Sequence, residues 1–217
     1  MKGFRLVMVI FTGYLSLVFM EQEAISVYLK PLLVPALLIL FLLNVKQKGN
    51  YKIIGALLLS TLGDILLIFD GKAFFILGLL SFLLAHLLYI LIFRSQTKSI
   101  KRDAFTIQSS VVVIMYYGCF MCFLWPHLGA MRIPVLAYAL VISVMLWMAL
   151  QFLRSTSSYK WHIVLGAFFF VVSDSLLSIQ LFYSSFDFSH FYVMLTYLFA
   201  QSFLVYGIIR IKNDGYK

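Results

Sequence analysis

The chain has 217 residues, 63% of them hydrophobic and only 12% charged, with a net charge of +9 and two cysteines. Soluble globular domains carry about 25% charged residues, so that class is excluded. Apolar runs of about 20 residues recur along the whole length, and only helices could satisfy their own backbone in lipid, because strand-like alternation is absent.

Eight runs meet that length, at 4–20, 27–43, 51–69, 74–93, 105–124, 133–153, 160–182 and 190–210. They predict an all-α integral membrane protein, a bundle of eight transmembrane helices in a single domain over 1–217. The first run has a charged start, with Lys2 and Arg5, and Glu21 and Gln22 follow it directly. No small-residue cleavage site is present, so an uncleaved helix is expected rather than a signal peptide. The second run opens near Lys30-Pro31. Lys30 is either a snorkelling interfacial lysine or a ligand for a headgroup phosphate. Pro31, Pro35 and Pro134 are placed near span starts, where a missing backbone N–H costs little.

The third run, GALLLSTLGDILLIF, contains Asp64, and the seventh, GAFFFVVSDSLLSI, contains Asp174. A carboxylate near the middle of a spanning helix costs roughly 2.5–3.5 kcal/mol, so such residues usually face a bundle interior and serve a proton, ion or substrate. Each aspartate follows a small residue, Gly63 or Ser173, and each opens an Asp-x-Leu-Leu step. Ser178 lies one turn beyond Asp174 and is within reach of a hydrogen bond to it. Ala56, Ser60 and Gly63 share one face of the third run, as Gly78, Ser81 and Ala85 do on the fourth, a pattern that lets backbones approach.

The fourth run places Phe75, Gly78, Phe82, Ala85, His86 and Tyr89 on one stripe at steps of three and four. His86 is the only histidine deep in a span. It either bonds to a neighbouring helix or joins Tyr89 in a site. Cys119 and Cys122 form a C-x-x-C in the fifth run without a second pair or a nearby histidine, so they are expected to be buried small hydrophobes rather than zinc ligands. The last run offers Thr196, Tyr197 and Gln201. Gln201 can both donate and accept, which suits a glycerol hydroxyl or a carboxyl group, or simple interhelical bonding.

With eight spans, both termini share a side with the loops near 44–50, 94–104 and 154–159. That side collects Lys2, Arg5, Lys46, Lys48, Lys52, Arg94, Lys98, Lys101, Arg102, Arg154, Lys160, Arg210, Lys212 and Lys217, against Lys30, Lys72 and Arg132 opposite. The bias places both termini in the cytoplasm, with a bacterial inner membrane as the expected location. The basic loops then meet anionic lipid headgroups rather than nucleic acid. Four helices separate the two aspartate runs, so they cross in the same direction, hinting at a four-plus-four parallel repeat.

No G-x-S-x-G elbow, histidine cluster or glycine-rich phosphate loop occurs. What remains is a pair of carboxyl groups with one imidazole, a natural general acid beside a general base, with no metal or other cofactor expected. The rival class is a proton-coupled transporter using the same acids, but the paired Gly/Pro breaks of discontinuous helices are lacking. A non-catalytic lipid-binding protein would not need two acids. Asp64 and Asp174 each lie about 13 residues into helices that start on the cytoplasmic side, roughly 20 Å along, in the outer half of the bilayer. His86 approaches the midplane from the other side, so acids and imidazole are expected to share one cavity.

At these residues the chain resembles the YhhN-like lysoplasmalogenase family of multi-pass membrane proteins. The resemblance is carried by Lys30-Pro31, Gly55-Ala56 through Gly63-Asp64, the Phe75 to Tyr89 stripe, Gly166-Ala167 through Ser173-Asp174, and Tyr197 with Ala200-Gln201. A weaker run of Pro134, Tyr138 and Met145 also fits. What the resemblance implies is hydrolysis of the vinyl ether bond of a lysophospholipid substrate, giving a fatty aldehyde and a glycerophospho-alcohol. It also implies Asp64 and Asp174 as the essential pair. From the depths of these residues, a lysolipid is expected with its headgroup towards Lys30 and its vinyl ether beside the aspartates.

Overall fold

A computed structural model describes residues 3–46, 50–97 and 103–214. These residues form eight α-helices and no strand: α1 (Phe4–Phe19), α2 (Glu23–Asn44), α3 (Tyr51–Leu66), α4 (Lys72–Thr97), α5 (Ala104–Leu124), α6 (Arg132–Leu150), α7 (Lys160–Phe182) and α8 (Ser189–Asp214). Six of them, α2 and α4 to α8, are long and apolar enough to cross a membrane. The other two, α1 and α3, have 16 residues each, about 24 Å of helix.

The structure departs from expectation in three places. Firstly, α3 stops at Leu66 rather than 69, because the chain turns through Asp70 and Gly71, whose φ of +117° suits only a residue without Cβ. Asp64 therefore stands in the last turn of its helix, not the middle. Secondly, α2 begins at Glu23, so Pro31 and Pro35 lie in its interior instead of near its start. Each removes one backbone rung, which membrane helices tolerate when neighbours satisfy the freed carbonyls. Thirdly, Cys119 and Cys122 are exposed rather than buried. The cause is the position of α5, which packs chiefly on α6 and leaves most of its circumference uncovered.

The closest packing joins α7 to α8 and α3 to α4. Small residues make both contacts possible. A Cβ on Gly166 would lie 2.7 Å from the Leu204 side chain and 2.9 Å from its backbone nitrogen, and one on Gly63 would lie 2.5 Å from the Phe82 ring. Phe41, Leu57, Tyr89, Phe93, Phe170 and Leu204 fill the centre.

Polar contacts tie one end of the bundle together. Asn213 on α8 donates to the Asn44 carbonyl at 2.9 Å and accepts from the Lys46 N–H at 3.2 Å. Asp103 caps α5 through a reciprocal pair with Thr106 and holds Arg154 at 2.7 Å, linking α5 to the end of α6. Phe4 meets Tyr206 at this same end, so both described termini lie there. At the other end Phe19 stacks on Phe188. Of the basic residues behind the charge bias, Lys2, Lys48, Lys98, Lys101, Arg102 and Lys217 lie outside the described residues.

Candidate active site

A cavity of about 530 Å³ opens among α2, α3, α4, α6, α7 and α8, at the end of the bundle away from the described termini. Its rim includes Phe69, Asp70 and Lys72 from the α3–α4 turn, Phe182 at the end of α7 and His190 at the start of α8. Deeper in, Asp64 and Asp174 both line it, with Tyr138, Tyr197 and Phe82 beside them. Asp64 is 2% exposed, whereas Asp174 is half-buried.

Each aspartate is held by a phenol from a distant helix. Tyr197 on α8 donates to Asp64 Oδ2 at 2.8 Å, and Tyr138 on α6 donates to Asp174 Oδ2 at 2.5 Å. A phenolic donor fixes the orientation of the carboxyl it bonds, and the bond is of the stronger, charge-assisted kind wherever that carboxyl is ionised. Lys30, on α2, lines the same cavity.

Behind Asp64 the polar chain continues. Gln201 Nε2 donates to the Tyr197 oxygen at 3.4 Å, and the Tyr89 hydroxyl donates to Gln201 Oε1 at 3.0 Å. Tyr89 and Gln201 are fully buried and do not line the cavity, so Gln201 faces a tyrosine on either side and not a glycerol hydroxyl. The serines serve the backbone. Ser173 donates to the Val193 carbonyl at 3.0 Å, which fastens α7 to α8. Ser178 donates to the Asp174 main-chain carbonyl at 2.7 Å rather than to its carboxyl group.

His86 does not line the cavity. It is fully buried behind it, edge-on to Phe170 with ring centroids 4.7 Å apart and to Tyr138 at 5.5 Å. Among the described residues, no side chain hydrogen-bonds to its ring. Two tyrosines carry more than their sequence positions suggest. Tyr138 contributes the Asp174 bond, and its only advance signal is its place in the Pro134 to Met145 run. Tyr14, on α1, is 2% exposed, with no signal in the sequence around it.

Chemically, the cavity presents two carboxyl groups to one volume, each already receiving a phenolic proton donor, with Lys30 lining it and Asp70 and Lys72 at its rim. That arrangement suits transfer of a proton to a bound molecule at one carboxyl and removal of one at the other.

The sequence profile of the YhhN family matches residues 25–208, a span that contains both aspartates and both phenols and omits α1. The chain is 34% identical over 175 residues to lysoplasmalogenase TMEM86B of Rattus norvegicus, covering 80% of this chain and 69% of that one. It is 28% identical over 167 residues to lysoplasmalogenase TMEM86A of Homo sapiens, covering 75% and 67%. A lysoplasmalogenase of Mycobacterium tuberculosis is 33% identical over 130 residues, covering 58% and 48%. No solved structure matches.

Proposed function

The chain belongs to the YhhN family, and from that membership we propose that it is an intramembrane lysoplasmalogenase. It cleaves the vinyl ether bond of lysoplasmalogen-type lysophospholipids to a fatty aldehyde and a glycerophospho-alcohol. The observation that carries the reading is the convergence of Asp64 and Asp174, from helices far apart in sequence, on one cavity with a cation beside it.

Vinyl ether hydrolysis begins with slow protonation of the β-carbon of the double bond. One carboxylic acid of the pair supplies that proton, and the π electrons form the new C–H bond. The positive charge then rests on the α-carbon and the ether oxygen. The second carboxyl, ionised, stabilises this cation and takes a proton from the water that attacks the α-carbon, leaving a hemiacetal. When the hemiacetal collapses, the glycerol oxygen leaves with a proton from the second carboxyl, and the hemiacetal hydroxyl returns one to the first. Both groups regain their starting states and one water is consumed. The division of labour parallels the two carboxyl groups of glycosidases.

All eight helices are proposed to span a cytoplasmic membrane with both termini in the cytoplasm, which opens the cavity towards the outer face. The basic bias of the terminal side supports this. A lysolipid then enters with its headgroup at Lys30 and its vinyl ether beside the aspartates. A four-plus-four parallel repeat also belongs to the proposal, supported by the matching packing of α3 on α4 and α7 on α8.

The test is purified protein in nanodiscs given a lysoplasmalogen, its saturated 1-alkyl ether analogue and the ester-linked lysolipid. Aldehyde release from the first alone is expected, since only the vinyl ether accepts a proton on carbon. Release of fatty acid from the ester, or no turnover of any of the three, would overturn the reading.

A further inference from the structure

Tyr89, Gln201, Tyr197 and Asp64 form one hydrogen-bond chain across α4, α8 and α3, and its direction is set by its middle member. An amide side chain has one acceptor end and one donor end. The Tyr89 hydroxyl fills the acceptor end of Gln201 and so turns the donor end to Tyr197. The Tyr197 oxygen receives there, which leaves its single O–H for Asp64 Oδ2. If Gln201 were turned over, its oxygen would draw the Tyr197 hydrogen away from Asp64. Asp174 has a different setting. It takes the Tyr138 hydroxyl, and it is more open to the cavity than Asp64.

We propose that Tyr89 and Gln201 are positioning residues that fix Tyr197 as a donor, making Asp64 the ionised member of the pair and Asp174 the proton donor. The assignment of roles rests on the vinyl ether reading above; the direction of the chain does not. Asp174 gives its proton to the β-carbon. Asp64, with Oδ2 already engaged by Tyr197, uses Oδ1 to take the proton from water as the water attacks the α-carbon. On collapse Asp64 returns that proton to the glycerol oxygen, and Asp174 recovers its own from the hemiacetal hydroxyl. Donors held in place in advance cost no reorganisation when charge develops, and buried chains of this kind act as a unit.

The test uses the full chain in nanodiscs with isotope-labelled aspartate. Infrared difference spectra of wild type minus Asp64→Asn, and of wild type minus Asp174→Asn, isolate each carboxyl. Carboxylate bands are expected for Asp64 and a protonated carbonyl band for Asp174. Tyr89→Phe and Gln201→Met should move the Asp64 bands and leave the Asp174 band in place. In steady-state assays each should lower kcat about 10-fold with KM changed less than about 2-fold, because neither residue meets the substrate. In a Tyr197→Phe background neither should cause a further loss, since the chain is already cut. The proposal is overturned if the two band types are reversed, if the Asp64 bands ignore both substitutions, or if the losses multiply independently. Should Gln201→Met fail to fold, Tyr89→Phe, which removes one oxygen atom, decides. Should wild type release no aldehyde, the vinyl ether reading fails while the spectra still judge the chain.

Discussion

Two phenols set how the aspartates are presented, and both come from far along the chain. Tyr138 is separated from Asp174 by 36 positions and Tyr197 from Asp64 by 133. The acids themselves are legible in the sequence, because a charged side chain in an apolar run is costly and therefore rare. Their partners are not, since helical periodicity says which face a residue occupies but not which helix that face meets. His86 shows the same limit. Its depth was predictable, yet it packs against the rings of Phe170 and Tyr138 and does not line the cavity. Removing the Tyr138 hydroxyl with Tyr138→Phe should lower kcat at least about 10-fold, because the carboxylate that Asp174 becomes on giving up its proton loses a hydrogen bond to a charged group, worth about 1.5–3 kcal/mol. KM should change little, and an unaltered kcat would detach Tyr138 from the reaction. Incubation with a strong chelator should leave the rate unchanged, because among the described residues no three His, Cys, Asp or Glu side chains come together. A loss restored specifically by zinc would contradict that expectation.

The helices themselves were readable in all eight places, because hydrophobic length is a strong signal. Their ends were not. α3 stops at Leu66, several residues before the positive-φ Gly71, and apolar Leu67, Ile68 and Phe69 disguise the stop in the sequence. That stop matters for the site, since it brings Asp64 to the last turn of α3, close to the turn that forms the cavity rim. The small-residue faces, by contrast, were legible as packing signals, and α3 meets α4 through them. At the tighter α7–α8 contact, Gly166→Leu forces a side chain against the Leu204 backbone nitrogen, which cannot swing aside. It should destabilise the fold by about 1–3 kcal/mol. Gly118→Ala, where an added Cβ meets nothing within 4 Å, should stay within about 0.5 kcal/mol. Thermal unfolding of both variants in one detergent checks the contrast, and equal melting temperatures would refute it.

For the whole molecule, composition and charge distribution carried most of what could be known in advance: a helical membrane bundle with an inside and an outside. What they could not supply was adjacency. Nothing in the sequence says that α2, α3, α4, α6, α7 and α8 surround one volume while α5 stands at the periphery. The proposed orientation predicts that a fluorescent protein fused after residue 217 will fluoresce in the cytoplasm and that alkaline phosphatase fused there will stay inactive. The opposite pair of results would turn the cavity mouth to the cytoplasmic face.

If two carboxyl groups sharing this cavity carry out the hydrolysis, Asp64→Asn and Asp174→Asn must each stop the release of aldehyde. Asparagine keeps the size and much of the hydrogen bonding of aspartate but can neither donate an acidic proton nor hold the charge. With wild-type insertion and melting behaviour, each variant should lose at least about 100-fold in kcat, the scale of a general acid or base. Near wild-type turnover in either well-folded variant would remove that residue from the chemistry and contradict the paired mechanism.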